Sequence, residues 1–368
     1  MLSGGMPTPA ALATDRVNRL RERLAADDLD AAVLARPENV RYVSGFAGSA
    51  GLAVVTGDRA VLVVDFRYAE QAAAQAPAFE RVQATGPLVE AAAEVLRRLG
   101  ARRAGVEAEF LPIGTFRKLA AAAAPVAVEP VEGLDRIRWI KAPEEIEAIR
   151  RAQRVAEAAF QDVLPGIRPG AVEREVAVAL EERLRRRGAR ASSFEIIVAS
   201  GPRAALPHGV ASERVIGPGE CVTIDFGAVV DGYFSDCTRT LVTAPVSDRH
   251  REVYAVVRAA QEAALAGLRP GLTGREADAL ARDVIARAGY GEAFGHSLGH
   301  GIGLAVHEGP TLSPREEAVL APGAVVTVEP GVYLPGWGGV RIEDMVVLTQ
   351  DGCENLTALP KDLIEVSA

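Results

Sequence analysis

Cysteine is scarce. Only Cys221, Cys237 and Cys353 occur in 368 residues, an odd number at spacings that match no zinc motif, so a disulfide framework is not expected. A reduced, cytoplasmic compartment fits. Basic charge is short as well. The net charge is -8 and no Lys/Arg block alternates with aromatic residues, which argues against a nucleic-acid partner. The run Arg183, Arg185, Arg186, Arg187 reads instead as the solvated end of a helix, where positive charge suits the helix dipole. No apolar run reaches the roughly 18 residues a membrane-spanning helix needs. Met1–Ala13 has no basic stretch followed by an apolar one, so neither a secretory leader nor a membrane partner is expected. The Gly-Lys-Ser/Thr of a phosphate loop is missing, and no Glu follows His296 to make a His-Glu-x-x-His metalloprotease motif.

What is present is the composition of a core-forming globular protein, with 49% hydrophobic and 24% charged residues. The length exceeds one typical core and predicts two domains. The expected division is 1–132 and 133–368. In the first part, Thr14 and Asp15 can cap a helix running to about Asp27. Ala31–Leu34, Leu52–Val55 and Ala60–Val64 read as strands, the last two joined by the turn Thr56-Gly57-Asp58. Ala69–Ala76 and Leu88–Leu99 read as helices, with Gly100 as a stop. This is an α/β pattern. Gly133–Lys141 reads as a linker, and Pro143 starts a long helix with Glu144, Glu145 and Glu147 near its positive end.

The second part repeats itself. Ala158–Ala189 laid over Ala259–Tyr290, a shift of 101 residues, brings Leu164, Gly166, Arg168, Pro169, Gly170, Arg174, Glu175, Arg186 and Gly188 onto the same residue types. At a shift of 104, Pro218-Gly219 meets Pro322-Gly323, and Val222-Thr223-Ile224-Asp225 meets Val326-Thr327-Val328-Glu329. At 107, Asp236 meets Glu343. One helix–helix–strand–strand unit therefore occurs twice. Two copies are too few for a solenoid, so a pseudo-twofold domain closing around a shared centre is expected.

The repeat pairs carboxylates: Asp225 with Glu329, and Asp236 with Glu343. Each lies in or beside an apolar strand and should point inward. Four buried carboxylates repel strongly unless they are paired or metallated. Arg239 and Arg341 are too few to neutralise all four, whereas two divalent cations balance them. Three of the five histidines fall within the glycine-rich stretch Phe294–Glu308, as His296, His300 and His307. Gly295, Gly299, Gly301 and Gly303 argue for a strand or loop rather than a helix, with backbone allowed close to metal or substrate. His208 mirrors His307 at a shift of 99, and His250, in a charged stretch, reads as a surface residue. One imidazole with four carboxylates is an oxygen-rich ligand set that suits Mn2+ and tolerates Co2+, Zn2+ or Fe2+. Two such ions roughly 3.5–4 Å apart can hold one hydroxide and polarise a carbonyl, which is hydrolytic chemistry.

At these residues the chain resembles the pita-bread metallopeptidases, family M24, and within them the Xaa-Pro branch of prolidase and aminopeptidase P. The motifs are Ile224-Asp225-Phe226-Gly227, Ser235-Asp236-Cys237-Thr238-Arg239-Thr240, His296–Pro310, Thr327-Val328-Glu329-Pro330-Gly331 and Gly339-Val340-Arg341-Ile342-Glu343-Asp344. Tyr42-Val43-Ser44-Gly45 and Asp65-Phe66-Arg67-Tyr68 resemble the creatinase/prolidase N-terminal domain more loosely. The resemblance implies two divalent metal ions. Asp225 would hold one, His300 and Glu329 the other, and Asp236 and Glu343 would bridge. Glu329 would also act as acid/base. His208 and His307 would contact substrate and stabilise the tetrahedral intermediate, and His296 would line a proline pocket. Arg341 would orient Asp236 or the substrate. The implied substrate is an Xaa-Pro dipeptide or Xaa-Pro-peptide, and the implied assembly a homodimer. Methionine aminopeptidase shares the fold, but the N-terminal domain and Arg341-Ile342-Glu343-Asp344 look Xaa-Pro-like. Creatinase is metal-free and lacks the ligand set. A non-catalytic peptide-binding module on this fold would have lost ligands that are all present here.

Overall fold

Short buried strands alternate with amphipathic helices in the first part of the chain. The computed structural model describes residues 9–367. The leader reading concerns Met1–Ala13, of which Met1–Thr8 lie outside the described residues. The chain divides into two compact units, Met1–Arg138 and Trp139–Ala368.

In the first unit the helix Pro9–Ala26 buries Ala13, Val17, Leu20 and Leu24, one stripe at helical spacing. It begins at Pro9, so Thr14 and Asp15 are helix-interior residues and not the cap the sequence suggested. Proline's fixed φ suits a first helical turn. Six strands form one sheet in the spatial order Glu80–Gln83, Ala60–Val64, Leu52–Thr56, Ala31–Leu34, Arg103–Glu107, Ala127–Val131. The hairpin Leu52–Thr56/Ala60–Val64 is antiparallel, and the flanking pairs at both edges are parallel. Leu134–Arg138, read from sequence as linker, is a 3-10 turn with Leu134 and Ile137 buried, and Arg138 Nε donates to Asn39 Oδ1 at 2.7 Å.

The second unit carries the duplication. Pro143–Val163 and Glu173–Arg186 are two helices; Asp248–Gly267 and Gly274–Arg287 are their counterparts. Glu173–Arg186 and Gly274–Arg287 are both 14 residues long. Isolated bridges Val172↔Val215 and Thr273↔Val319 repeat the same contact in each half. The first helix pair packs on a sheet of Ile364–Val366, Cys237–Thr243, Cys221–Phe226 and Ile197–Ser200. There Phe160 stacks on Phe226, with ring centroids 5.0 Å apart, a contact worth about 1 kcal/mol beyond its burial. The second pair packs on Glu308–Leu312, Gly299–Gly301, Val325–Val328, Asp344–Leu348 and Cys353–Asn355. Among the described residues no helix is long and apolar enough to cross a membrane.

Candidate metal centre

The two sheets each deliver carboxylates to one place. Asp225 lies near the end of Cys221–Phe226, and Asp236 immediately precedes Cys237–Thr243. Glu329 immediately follows Val325–Val328, and Glu343 immediately precedes Asp344–Leu348. Antiparallel registers put Thr238 beside Asp225 and Val328 beside Asp344. Strand ends are where a polar side chain can turn out of an apolar layer without opening it. His300 comes from Gly299–Gly301. The glycines flanking it are obligatory by packing: a Cβ at Gly299 would lie 1.9 Å from the Thr327 carbonyl oxygen, and one at Gly301 2.2 Å from that of Gly309. This explains a histidine-bearing strand so rich in glycine.

The group comprises atoms that repel one another. Asp236, His300 and Glu343 each offer a ligand atom, all within 4.8 Å of one another. His300 Nε2 lies 3.4 Å from Glu329 Oε1 and 3.6 Å from Asp236 Oδ2. Its other nitrogen, Nδ1, is 3.0 Å from the Gly301 carbonyl oxygen. A carbonyl only accepts, so Nδ1 carries the proton and Nε2 turns a lone pair toward two carboxylates. Burial holds the His300 ring below its ordinary pKa. Burial, then the charges of Glu343, Asp225 and Glu329, push Asp236 well above the usual carboxylate range, and burial with Glu329 and Asp225 does the same to Glu343. Burial pushes Glu329 up to about 7. Asp225 Oδ1 is buried with no hydrogen-bond partner among the described residues. A neutral imidazole lone pair, an orphaned carboxylate oxygen and crowded acids are the donor chemistry of divalent metal ions, and these residues fit such ions.

Hydrogen bonds fix the acids. Thr238 Oγ1 donates to Glu343 Oε2 at 2.7 Å, and Thr327 Oγ1 to Glu329 Oε1 at 3.0 Å. Both threonines lie inside the sequence motifs, which by themselves assign them no role. Arg341 is a correction. Its guanidinium binds Asp225 Oδ2 at 2.7 Å, not Asp236, and its remaining donors reach Thr238 Oγ1, Tyr333 Oη and the Pro207 carbonyl at 2.9–3.1 Å. The side chain is buried, so it serves the centre through these four partners. Arg239 touches none of the four carboxylates; it donates to the Glu343 backbone carbonyl at 2.6 Å and pairs with Asp344 at 2.8 Å.

Three further histidines gather here. His307 packs against His300 with ring centroids 4.2 Å apart. His296 Nδ1 donates to the Ser297 carbonyl at 2.8 Å, which leaves Nε2 to accept from Tyr333 Oη at 2.8 Å. Tyr333, absent from the sequence reading, thus relays from Arg341 to His296. His208 is near enough to perturb His296, His307 and Glu329. His250 is not among them and is not a surface residue. It is 5% exposed, accepts from the Ser247 backbone N–H at 3.1 Å in a capping box, and packs on Trp337. Its charged sequence neighbours concealed that role.

Residues 147–350 match the model of metallopeptidase family M24, and residues 16–140 that of the creatinase/prolidase N-terminal domain. The chain is 38% identical to an Xaa-Pro dipeptidase of Pyrococcus horikoshii, over 95% of this chain and 99% of that protein. Among solved structures it is similar to an Xaa-Pro dipeptidase from Bacillus anthracis, with TM-score 0.94 and 46% identity over 96% of this chain and 100% of that one. It is also similar to an X-Pro aminopeptidase from Thermotoga maritima, with TM-score 0.86 and 38% identity over 95% of this chain and 99% of that one.

Proposed function

Because the chain belongs to metallopeptidase family M24, we propose that it hydrolyses the amide bond preceding proline, with Xaa-Pro dipeptides as its substrates. The observation that carries this reading is the His300 Nε2 lone pair facing Asp236 and Glu329 inside a set of four carboxylates. The non-catalytic and methionine aminopeptidase readings gain no support from the named relatives.

Asp225 would hold one divalent ion, His300 and Glu329 the second, with Asp236 and Glu343 shared. The oxygen-rich set favours Mn2+ over thiolate-selected metals. Bound ions of this kind polarise a carbonyl and make water acidic enough to attack it near neutral pH. The protein's own residues do the rest. Thr327 fixes Glu329 through Oε1, which leaves Oε2 to take the proton of the attacking water and return it to the proline nitrogen. His307, kept below its ordinary pKa chiefly by burial, meets substrate as a neutral imidazole. It and His208 donate to the oxygen that becomes negative in the tetrahedral intermediate. His296, neutral and packed edge-on to Phe294 at 5.0 Å, offers a flat wall to a proline ring.

The test is an assay of Ala-Pro beside Ala-Pro-Ala after Mn2+ loading. Ala-Pro should turn over faster. Cleavage of neither peptide would sink the catalytic reading, and preference for Ala-Pro-Ala would make the enzyme an aminopeptidase. A homodimer, implied by the family resemblance, and a cytoplasmic setting, supported by three free cysteines, complete the proposal.

A further inference from the structure

Glu173 opens the helix Glu173–Arg186 and is fully buried, yet carries a carboxylate far from any role assigned above. Both of its oxygens are used. Oε1 accepts from the backbone N–H and the hydroxyl of Ser200, each at 2.8 Å. Oε2 accepts from the backbone N–H of Ser212 at 3.1 Å and its hydroxyl at 2.6 Å, and pairs with Arg203. Ser200 and Ser212 are the two ends of one loop. Arg203, inside it, spans the loop to the Val210 carbonyl at 2.6 Å. His208 stands between, and the Pro207 carbonyl beside it accepts from Arg341 at 3.1 Å. Glu173 therefore closes the base of the loop while Arg341 holds its tip. A buried carboxylate is costly unless its oxygens are satisfied, so replacing it strands several donors at once.

The second half of the duplication makes the same junction in reverse. Glu173 corresponds to Gly274 at a shift of 101, and Ser212 to Glu316 at 104. The backbone bonds match: Glu173 N–H to the Arg214 carbonyl and Arg174 N–H to that of Ser212 recur as Gly274 N–H to Ala318 and Arg275 N–H to Glu316. Here the loop supplies the carboxylate. Glu316 accepts from Thr311 Oγ1 at 2.9 Å and the Ala318 N–H at 2.8 Å. A Cβ at Gly274 would lie 2.5 Å from Glu316 Cγ, so the helix position gives up its side chain where the loop brings the acid. Each half thus keeps one carboxylate between helix start and loop, donated from opposite sides.

We propose that Glu173 is the positioning residue of His208: it fixes the loop that presents this histidine to substrate. The inference rests on the substrate-facing reading of His208. A shift of about 1 Å in such a group costs on the order of 100-fold in rate. The experiment is a double-mutant cycle on the Mn2+-loaded enzyme with Ala-Pro, using Glu173→Gln, His208→Ala and both together, with thermal midpoint and bound-metal content measured for each. Glu173→Gln should lower kcat/KM about 10- to 100-fold with metal content unchanged, and should cost nothing further once His208 is alanine. An equal loss in both backgrounds, or no loss in either, overturns the proposal while leaving the His208 reading standing. Wild-type activity of His208→Ala overturns that reading instead, and the positioning role with it. Where Glu173→Gln fails to fold, Ser212→Ala removes one of the five donors, and its smaller loss must likewise vanish in the His208→Ala background.

Discussion

Arg341 Nη2 lies 2.7 Å from Asp225 Oδ2, while Asp225 Oδ1 is buried with no hydrogen-bond partner among the described residues. The arginine thus occupies one oxygen of the carboxylate and leaves the other without a protein donor. Arg341→Lys keeps the charge but cannot reach Asp225, Thr238, Tyr333 and Pro207 together, because an ammonium lacks the planar fork. It should weaken metal binding or activity about 10- to 100-fold. Bound metal after dialysis and kcat with Ala-Pro check this; full loading with wild-type turnover would show that Asp225 orients without the guanidinium.

Asp236 and Glu343 supply the shared ligands of the proposed two-ion centre. Asp236→Ala removes one of them and opens a void in a densely packed place. The variant should bind fewer than two ions and lose nearly all activity. Elemental analysis and turnover test it together, and two retained ions with normal turnover would refute the ligand assignment.

His296 sets a pH dependence. Burial holds its pKa at about 4, below the ordinary 6.5. The bonding explains the direction: Nε2 accepts from Tyr333, whose oxygen already accepts from Arg341. A proton on Nε2 would face the Tyr333 hydroxyl donor. The folded state thus refuses a proton that the unfolded chain takes, so this stability is present above pH 6.5 and is lost as pH falls toward 4. The loss is at most about 3 kcal/mol. Urea melts at pH 7, 5.5 and 4.5 should show wild type losing stability more steeply than His296→Gln, which cannot titrate. Equal slopes would remove His296 as the source.

Much of this protein was legible in the chain. The two-part α/β pattern, the duplicated unit and the pairing of Asp225 with Glu329 and Asp236 with Glu343 came from residue spacing. They could, because a repeat preserves both hydrophobic period and polar interruptions. The glycines around His300 signalled close approach before any contact was known. What misled was local context. His250 looked exposed because Asp248, Arg249, Arg251 and Glu252 surround it, although a capping position turns a side chain back onto its own helix. Arg341 looked like a residue that orients Asp236 or the substrate, and Tyr333 and Glu173 looked like nothing in particular.

Sequence by itself determined which residues carry charge, which stretches bury, and that two related halves each contribute acids to one centre. Only tertiary structure decided which atoms meet. That Arg341 takes Asp225, that His300 turns its lone pair on Glu329 and Asp236, and that Glu173 closes the loop of His208 depend on contacts between elements up to 116 residues apart in the chain. Periodicity fixes the face on which a side chain lies. It does not fix the distance to a partner on another sheet, because that follows from how the two halves pack.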